Sequence, residues 1–222
     1  MTTVRTQGRI AGVTYLGVVL TGIFTLAYAP GRLIFSGDPA ATSAAISANP
    51  GLFDAANYAS LAMSAFFLAL PFALSRFLSP YGANASRVMI VFVAASIPLT
   101  LAAAAQNFEL AHLVRAGGAS AEAVAAKLSA HNRWMDYASI FWGLWLAPLG
   151  WLILKSGAIP RVLGLLLFAG CAGYLANFFG PALYQGYEDL SFPGWISKAG
   201  SIGEIGTCLW LLVMGARGSS PI

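Results

Sequence analysis

The sequence contains little charge. Only 9% of its 222 residues are Asp, Glu, Lys or Arg, whereas 58% are hydrophobic. Soluble domains average about 25% charged residues, so this chain has too few charges to cover a water-exposed surface. A mean hydropathy of +0.73 agrees with that conclusion. The lipid bilayer is therefore the expected solvent.

The sequence also lacks the common signatures of soluble enzymes. It has no Walker loop, no dinucleotide-binding fingerprint and no HExxH motif. Its two cysteines, Cys171 and Cys208, do not form a CxxC pair. The basic residues behind the net charge of +4 are scattered, which is typical of anchoring at a membrane surface. We expect no cofactor and no nucleic-acid partner; the oligomeric state is left open.

Six apolar runs predict the fold. Each is close to the roughly 20 residues that cross the hydrocarbon core as a helix. The segments between them are rich in Gly, Pro, Ser and charge, as loops are. We predict an all-α, polytopic membrane bundle, with residues 1–222 forming a single transmembrane domain. Its six transmembrane helices are predicted at residues 10–29, 52–74, 88–105, 134–154, 162–179 and 195–215.

The first run has an alternative interpretation. Arg5 and Arg9 precede it, and Ala27 and Ala29 near its end resemble a signal-peptide cleavage site. The run is longer than the 7–15 apolar residues of a typical secretory signal, which favours a retained helix.

Charged loop residues predict the orientation. If the N-terminus is cytoplasmic, the inner segments carry seven basic residues and the outer segments five, and the positive-inside rule then favours this arrangement. Both termini are therefore predicted to be cytoplasmic, in a bacterial inner membrane. The inner basic residues are Arg5, Arg9, Arg76, Arg87, Lys155, Arg161 and Arg217, and the outer ones are Arg32, Arg115, Lys127, Arg133 and Lys198. Seven acidic residues are also placed outside: Asp38, Asp54, Glu109, Glu122, Asp136, Glu188 and Asp189.

Capping and breaking residues predict details between and within the spans. Asp38 before Pro39 predicts a short helix in the first outer loop, and Ser120 predicts another in the second. Gly157 and Pro160 predict a tight inner turn between spans four and five. Pro71, Pro98 and Pro148 lie within spans and predict kinks.

Several motifs resemble a known family. They are RIAG at residues 9–12, FWGLWLAPLG at 141–150, SGAIPRVLG at 156–164, GYL at 173–175 and GEI at 203–205. Together they resemble the bacterial membrane proteins called domain of unknown function 4386, over essentially the whole chain. The resemblance implies a compact multi-pass bundle with a recurring Gly-Glu in the last helix, and no established activity. The resemblance also implies an Asp at the position of Asn177, so this chain lacks a second carboxylate there.

Glu204 is the main candidate for a functional group. It lies near the middle of the last predicted span, where a carboxyl costs a few kcal/mol and normally faces protein or a cavity. Other polar residues are predicted in the outer half of the spans. The predicted ligand-binding set is Glu204, Asn177, Asn57, Asp136, Asn107 and Trp142.

A metal site has only weak candidates. Glu109 and His112 stand three residues apart, as on the helices of di-metal bundles, and His131 lies across the same outer loop. The motif is not repeated on a second helix, so no complete ligand set is available. Solvated interfacial side chains are the favoured interpretation.

Three function classes remain open. The first is a protein that binds a small lipophilic or amphipathic ligand in an outward-facing intramembrane polar pocket around Glu204. The second is an intramembrane enzyme in which Glu204 is the catalytic acid or base on a lipid or isoprenoid substrate. The third is an accessory or structural subunit without a ligand. Membrane lipids are expected partners in all three.

Overall fold

The computed structural model describes residues 3–117, 119–187 and 192–217, and every regular element in those ranges is helical. Side chains are described for the same ranges except at residues 192–195, 197 and 198. The all-α class is confirmed. The helices are α1 (Val4–Ile23), α2 (Pro30–Leu33), α3 (Pro39–Ala48), α4 (Pro50–Leu78), α5 (Ala83–Arg115), α6 (Ala121–Leu144), α7 (Leu146–Ser156), α8 (Arg161–Leu183) and α9 (Phe192–Val213). Two of the acidic residues predicted for the outer loops, Glu188 and Asp189, are not among the described residues.

Within the described residues, five helical stretches are long and apolar enough to cross a membrane. They are Val4–Leu33, Pro50–Tyr81, Ala83–Arg115, Ala121–Ser156 and Arg161–Leu183. A shorter apolar helix, Ala199–Val213, follows within α9. The multi-pass character is thus confirmed, whereas the sixth span stays a prediction.

Proline interrupts the fourth stretch. Helix α6 ends at Leu144 and α7 begins at Leu146. Pro148 has no N–H to donate to the carbonyl of Leu144, four residues earlier, and its ring crowds that carbonyl. The helix therefore breaks around Trp145. Pro71 and Pro98, in contrast, lie inside helices that continue through them.

The two loops predicted to lie outside differ from each other. In the first, Oδ1 of Asp38 accepts a hydrogen bond from the Ala41 amide at 2.8 Å and caps α3. In the second, Ser120 caps the amide of Ala123 at 3.2 Å. That helix does not stop within the loop, because it is the start of the 24-residue α6. The separate short helix expected at Ser120 is therefore wrong.

Glycine forms the turn between α7 and α8. Gly157 has a φ of +60°, a left-handed conformation that glycine adopts without strain, and its amide donates to the carbonyl of Ile153 at 3.3 Å. The Ala158 amide donates to Oγ of Ser156, and the Ala158 carbonyl accepts from the Arg217 amide at 3.0 Å. The turn is thereby tied to the segment after α9.

The chain divides into two compact units. Unit one comprises the described residues of Met1–Leu16, Phe66–Ser96 and Ala138–Ile222, and unit two comprises those of Gly17–Ala65 and Ile97–Tyr137. An apolar cluster in unit two includes Leu33 of α2, Ile46 of α3, Phe53 of α4 and Leu110 of α5. Unit one buries Tyr15, Leu70, Leu74, Met89, Trp145, Leu146, Leu149, Leu152 and Ile153.

Small residues bring three helices of unit one into backbone contact. A Cβ added at Gly200 of α9 would lie 2.5 Å from the Cα of Gly170 in α8. On α1, a Cβ added at Gly12 would lie 2.6 Å from the amide nitrogen of Leu212, and Sγ of Cys208 is 3.8 Å from the Gly12 carbonyl oxygen. Such close approach is typical of small residues at contacts between membrane helices. These contacts set the position of Glu204, which follows Gly200 by one helical turn.

Candidate functional site

Glu204 of α9 is paired with a tyrosine of α1. The Tyr15 hydroxyl donates to Oε1 of Glu204 at 3.4 Å, longer than the usual O–H···O distance of about 2.7 Å. Tyr15 is only 1% exposed, whereas Glu204 is partly exposed. The phenol is therefore fixed in the protein interior, next to a glutamate that as a whole residue is only partly buried.

Aromatic packing holds Tyr15 in place. The rings of Tyr15 and Trp145 meet edge-on, with centroids 6.1 Å apart and planes at 61°. The Phe67 ring also meets Trp145 edge-on, with centroids 5.2 Å apart and planes at 88°. Such edge-to-face pairs stabilise beyond their buried area. Trp145, at the break between α6 and α7, thus connects α4 to the phenol that contacts Glu204.

A second tyrosine belongs to the same surroundings. Tyr174 of α8 interacts electrostatically with Glu204. The base of its side chain packs against α6, where a Cβ added at Gly143 would lie 2.6 Å from the Cβ of Tyr174. The two phenols are the residues that sequence reasoning missed. Tyr174 stands in the quoted GYL motif, and Tyr15 follows Gly12 by three residues, the spacing that places both on one face of a helix.

Three of the six predicted ligand residues belong to unit one: Glu204, Asn177 and Trp142. Oδ1 of Asn177 accepts from the Tyr187 hydroxyl at 2.9 Å. The indole nitrogen of Trp142 is buried and has no hydrogen-bond acceptor among the described residues. Trp142 therefore retains an unused donor in the unit that contains Glu204.

The other three predicted ligand residues, Asn57, Asn107 and Asp136, belong to unit two. Asn57 is 2% exposed, and its Nδ2 has no acceptor among the described residues. Asn107 is partly exposed and Asp136 is exposed. A joint role of all six residues at one ligand stays a prediction.

The weak metal candidates have other partners. Glu109 forms an ion pair with Lys127. Nδ1 of His131 lies 3.0 Å from the carbonyl oxygen of Ala103, and His112 is exposed. In the part of the chain that the structure describes, no group of three or more His, Cys, Asp or Glu side chains is placed to hold a metal ion.

The long apolar helices, with a tyrosine-paired carboxyl on α9, define a multi-pass α-helical membrane protein. The chain belongs to the family described as Domain of unknown function (DUF4386), whose model matches residues 10–215. The resemblance found in the motifs is thereby confirmed. An uncharacterized protein of Archaeoglobus fulgidus is 31% identical over 98 residues, which cover 43% of this chain and 54% of that relative. The match thus spans about half of the relative's length. No solved structure matches the chain.

Proposed function

We propose that this protein binds a small lipophilic or amphipathic ligand in the membrane, with Glu204 as the polar contact. The observation that supports the proposal is the incomplete hydrogen bonding of Glu204. Its carboxyl has about four acceptor positions, and the described residues supply one long hydrogen bond, from Tyr15. A polar group removed from water without good partners is costly, so a further partner is expected.

The surroundings suit an amphipathic ligand. Tyr15 brings a phenol group to the carboxyl, Tyr174 lies within its electrostatic range, and Trp145 and Phe67 add apolar surface behind Tyr15. A ligand hydroxyl or amine would hydrogen-bond to Glu204, and an apolar body would lie among aromatic and aliphatic side chains. The unused indole N–H of Trp142 is a candidate second donor.

The ligand content of the purified protein tests this proposal. Wild type is expected to retain an organic molecule that Glu204→Gln loses by about tenfold or more, since an amide replaces the carboxyl that hydrogen-bonds to the ligand. Mass spectrometry of extracts from the two proteins measures the difference. Glu122→Gln is the matched control, because Glu122 is exposed at the start of α6 and should leave the content unchanged. Equal content in wild type and Glu204→Gln would contradict the proposal.

A chemical probe gives a second measurement that does not require the ligand to survive purification. A hydrophobic carbodiimide reaches carboxyls from the apolar phase and is expected to modify Glu204 in native membranes. Addition of the extracted molecule should protect Glu204. If Glu204 reacts as slowly as a carboxyl in a fully packed helix contact, no small molecule can approach it. That result would contradict the proposal.

We further propose six spans in one transmembrane domain, with α9 as the sixth and both termini cytoplasmic in a bacterial inner membrane. The seven inner basic residues against five outer ones support this orientation. Lipids are then the permanent partners of the apolar helix faces.

Cysteine labelling tests the orientation. Ser120→Cys and Asn84→Cys, both at exposed positions, are placed in a background without Cys171 and Cys208. In spheroplasts, an impermeant maleimide is expected to label residue 120 at once and residue 84 only after permeabilisation. The opposite pattern would place the termini on the outer side.

A further inference from the structure

Unit two contains a pocket that is separate from the residues around Glu204. Its volume is about 230 Å³, and its walls come from α3, α4 and α5. Ile46, Phe53, Ala111 and Val114 give these walls an apolar character. An apolar cavity of about 150 Å³ in an engineered protein holds benzene, so this pocket has room for one ring or a short chain.

One end of the pocket is cationic. Arg115, the last residue of α5, lines it and forms an ion pair with Asp54 of α4. The Arg115 side chain is 53% exposed, so the guanidinium lies where the pocket meets the outside. A guanidinium has five N–H donors, and in the described residues only Nη2 is used, toward Asp54. Donors therefore remain for a second anion.

The start of α4 and the end of α3 meet at the pocket, and the partial charges of these two helix ends are opposite in sign. Pro50, the first residue of the 29-residue α4, is also part of the pocket wall. The N-terminal end of a helix carries a partial positive charge from its unpaired amides. Asp54 is the acidic residue that faces Arg115, so the guanidinium donors not used by Asp54 are what the pocket offers to a second anion.

We propose that this pocket binds a small amphipathic acid, with its apolar body between Phe53 and Val114 and its carboxylate on Arg115. Planar guanidinium and carboxylate groups form paired, charge-assisted hydrogen bonds. The volume admits a single ring or short chain and excludes a whole diacyl lipid. The site is independent of the ligand proposed at Glu204, because it uses different residues in a different unit.

Fluorine NMR with 4-(trifluoromethyl)benzoate tests the proposal. The full-length protein is placed in phosphatidylcholine nanodiscs, and line broadening of the probe reports binding. Wild type is expected to bind the benzoate saturably and the neutral benzamide at least tenfold more weakly. Arg115→Gln should weaken benzoate binding by about tenfold, and Ala111→Phe should abolish it by filling the pocket. Arg133→Gln, at an exposed position of α6, is the control and should bind as wild type does.

Asp54→Asn separates a ligand role from a structural ion pair. This variant loses the same ion pair as Arg115→Gln but leaves the guanidinium free of its competitor. It is expected to bind the benzoate as tightly as wild type or more tightly. Equal weakening in both variants would overturn the proposal, as would the absence of saturable binding to wild type. Displacement of the probe by phosphatidylglycerol in the nanodisc would assign the anion to a lipid headgroup and would overturn the free acid as ligand.

Discussion

Trp145→Ala is expected to lower the free energy of unfolding by about 3–5 kcal/mol, the range for truncating a large buried aromatic side chain. Trp145 is 1% exposed and contacts both Tyr15 and Phe67. Its removal leaves a cavity beside the phenol that donates to Glu204. Ligand retention at Glu204 should therefore fall together with stability. Equilibrium unfolding in mixed micelles, with helicity as the signal, measures the first effect.

Trp151→Ala is the matched control for this experiment. Trp151 lies in α7, only six residues further along, but is 47% exposed. Its loss should cost less than about 1 kcal/mol, as surface substitutions usually do. Similar costs at the two tryptophans would contradict the buried aromatic cluster around Trp145.

Gly200→Ala is expected to have the second large effect, a loss of about 1–3 kcal/mol from overpacking. The new Cβ would lie 2.5 Å from the Cα of Gly170, so α8 and α9 have to move apart. The polypeptide backbone cannot yield as a flexible side chain can. A shift of α9 also changes the distance between Tyr15 and Glu204. Thermal unfolding in detergent and the ligand content of the purified protein report the two consequences.

Gly51→Ala provides the opposite case. A Cβ at Gly51 meets no atom within 4 Å, and the residue lies in the first turn of α4. Alanine favours helix over glycine by about 1 kcal/mol, so a neutral to stabilising effect is expected. If Gly51→Ala destabilises as strongly as Gly200→Ala, backbone contact is not the cause of the loss at Gly200.

The all-helical, multi-pass character follows from the sequence because long apolar runs leave few alternatives. Two local signals also predicted structure that is observed: Asp38 caps α3, and Gly157 forms the turn after α7. The length of α6 was not predicted from the sequence. Ser120 marks where a helix begins, but no residue in 121–132 marks an end, so the helix continues into the apolar run. Capping residues therefore locate helix boundaries better than hydropathy alone. Hydropathy places the start of the span after polar residues such as His131, although α6 already begins at Ala121.

The candidate site was only partly predictable. Glu204 stands out in the sequence because a carboxyl within an apolar run is rare. Tyr15 does not stand out, since tyrosines are common in membrane helices and its partner lies 189 positions away. Contacts of that range depend on which helix faces meet, and glycines at 12, 170 and 200 decide this through backbone approach.

The contacts between α1 and α9 have a consequence for biosynthesis. Helix α1 meets its partner only after α9 has been synthesised, because Arg9 donates to the carbonyl of Val213 and Gly12 packs on Leu212. Until then the polar hydroxyl of Tyr15 lacks its carboxyl acceptor. A nascent chain truncated before α9 should therefore be open to quality-control proteases.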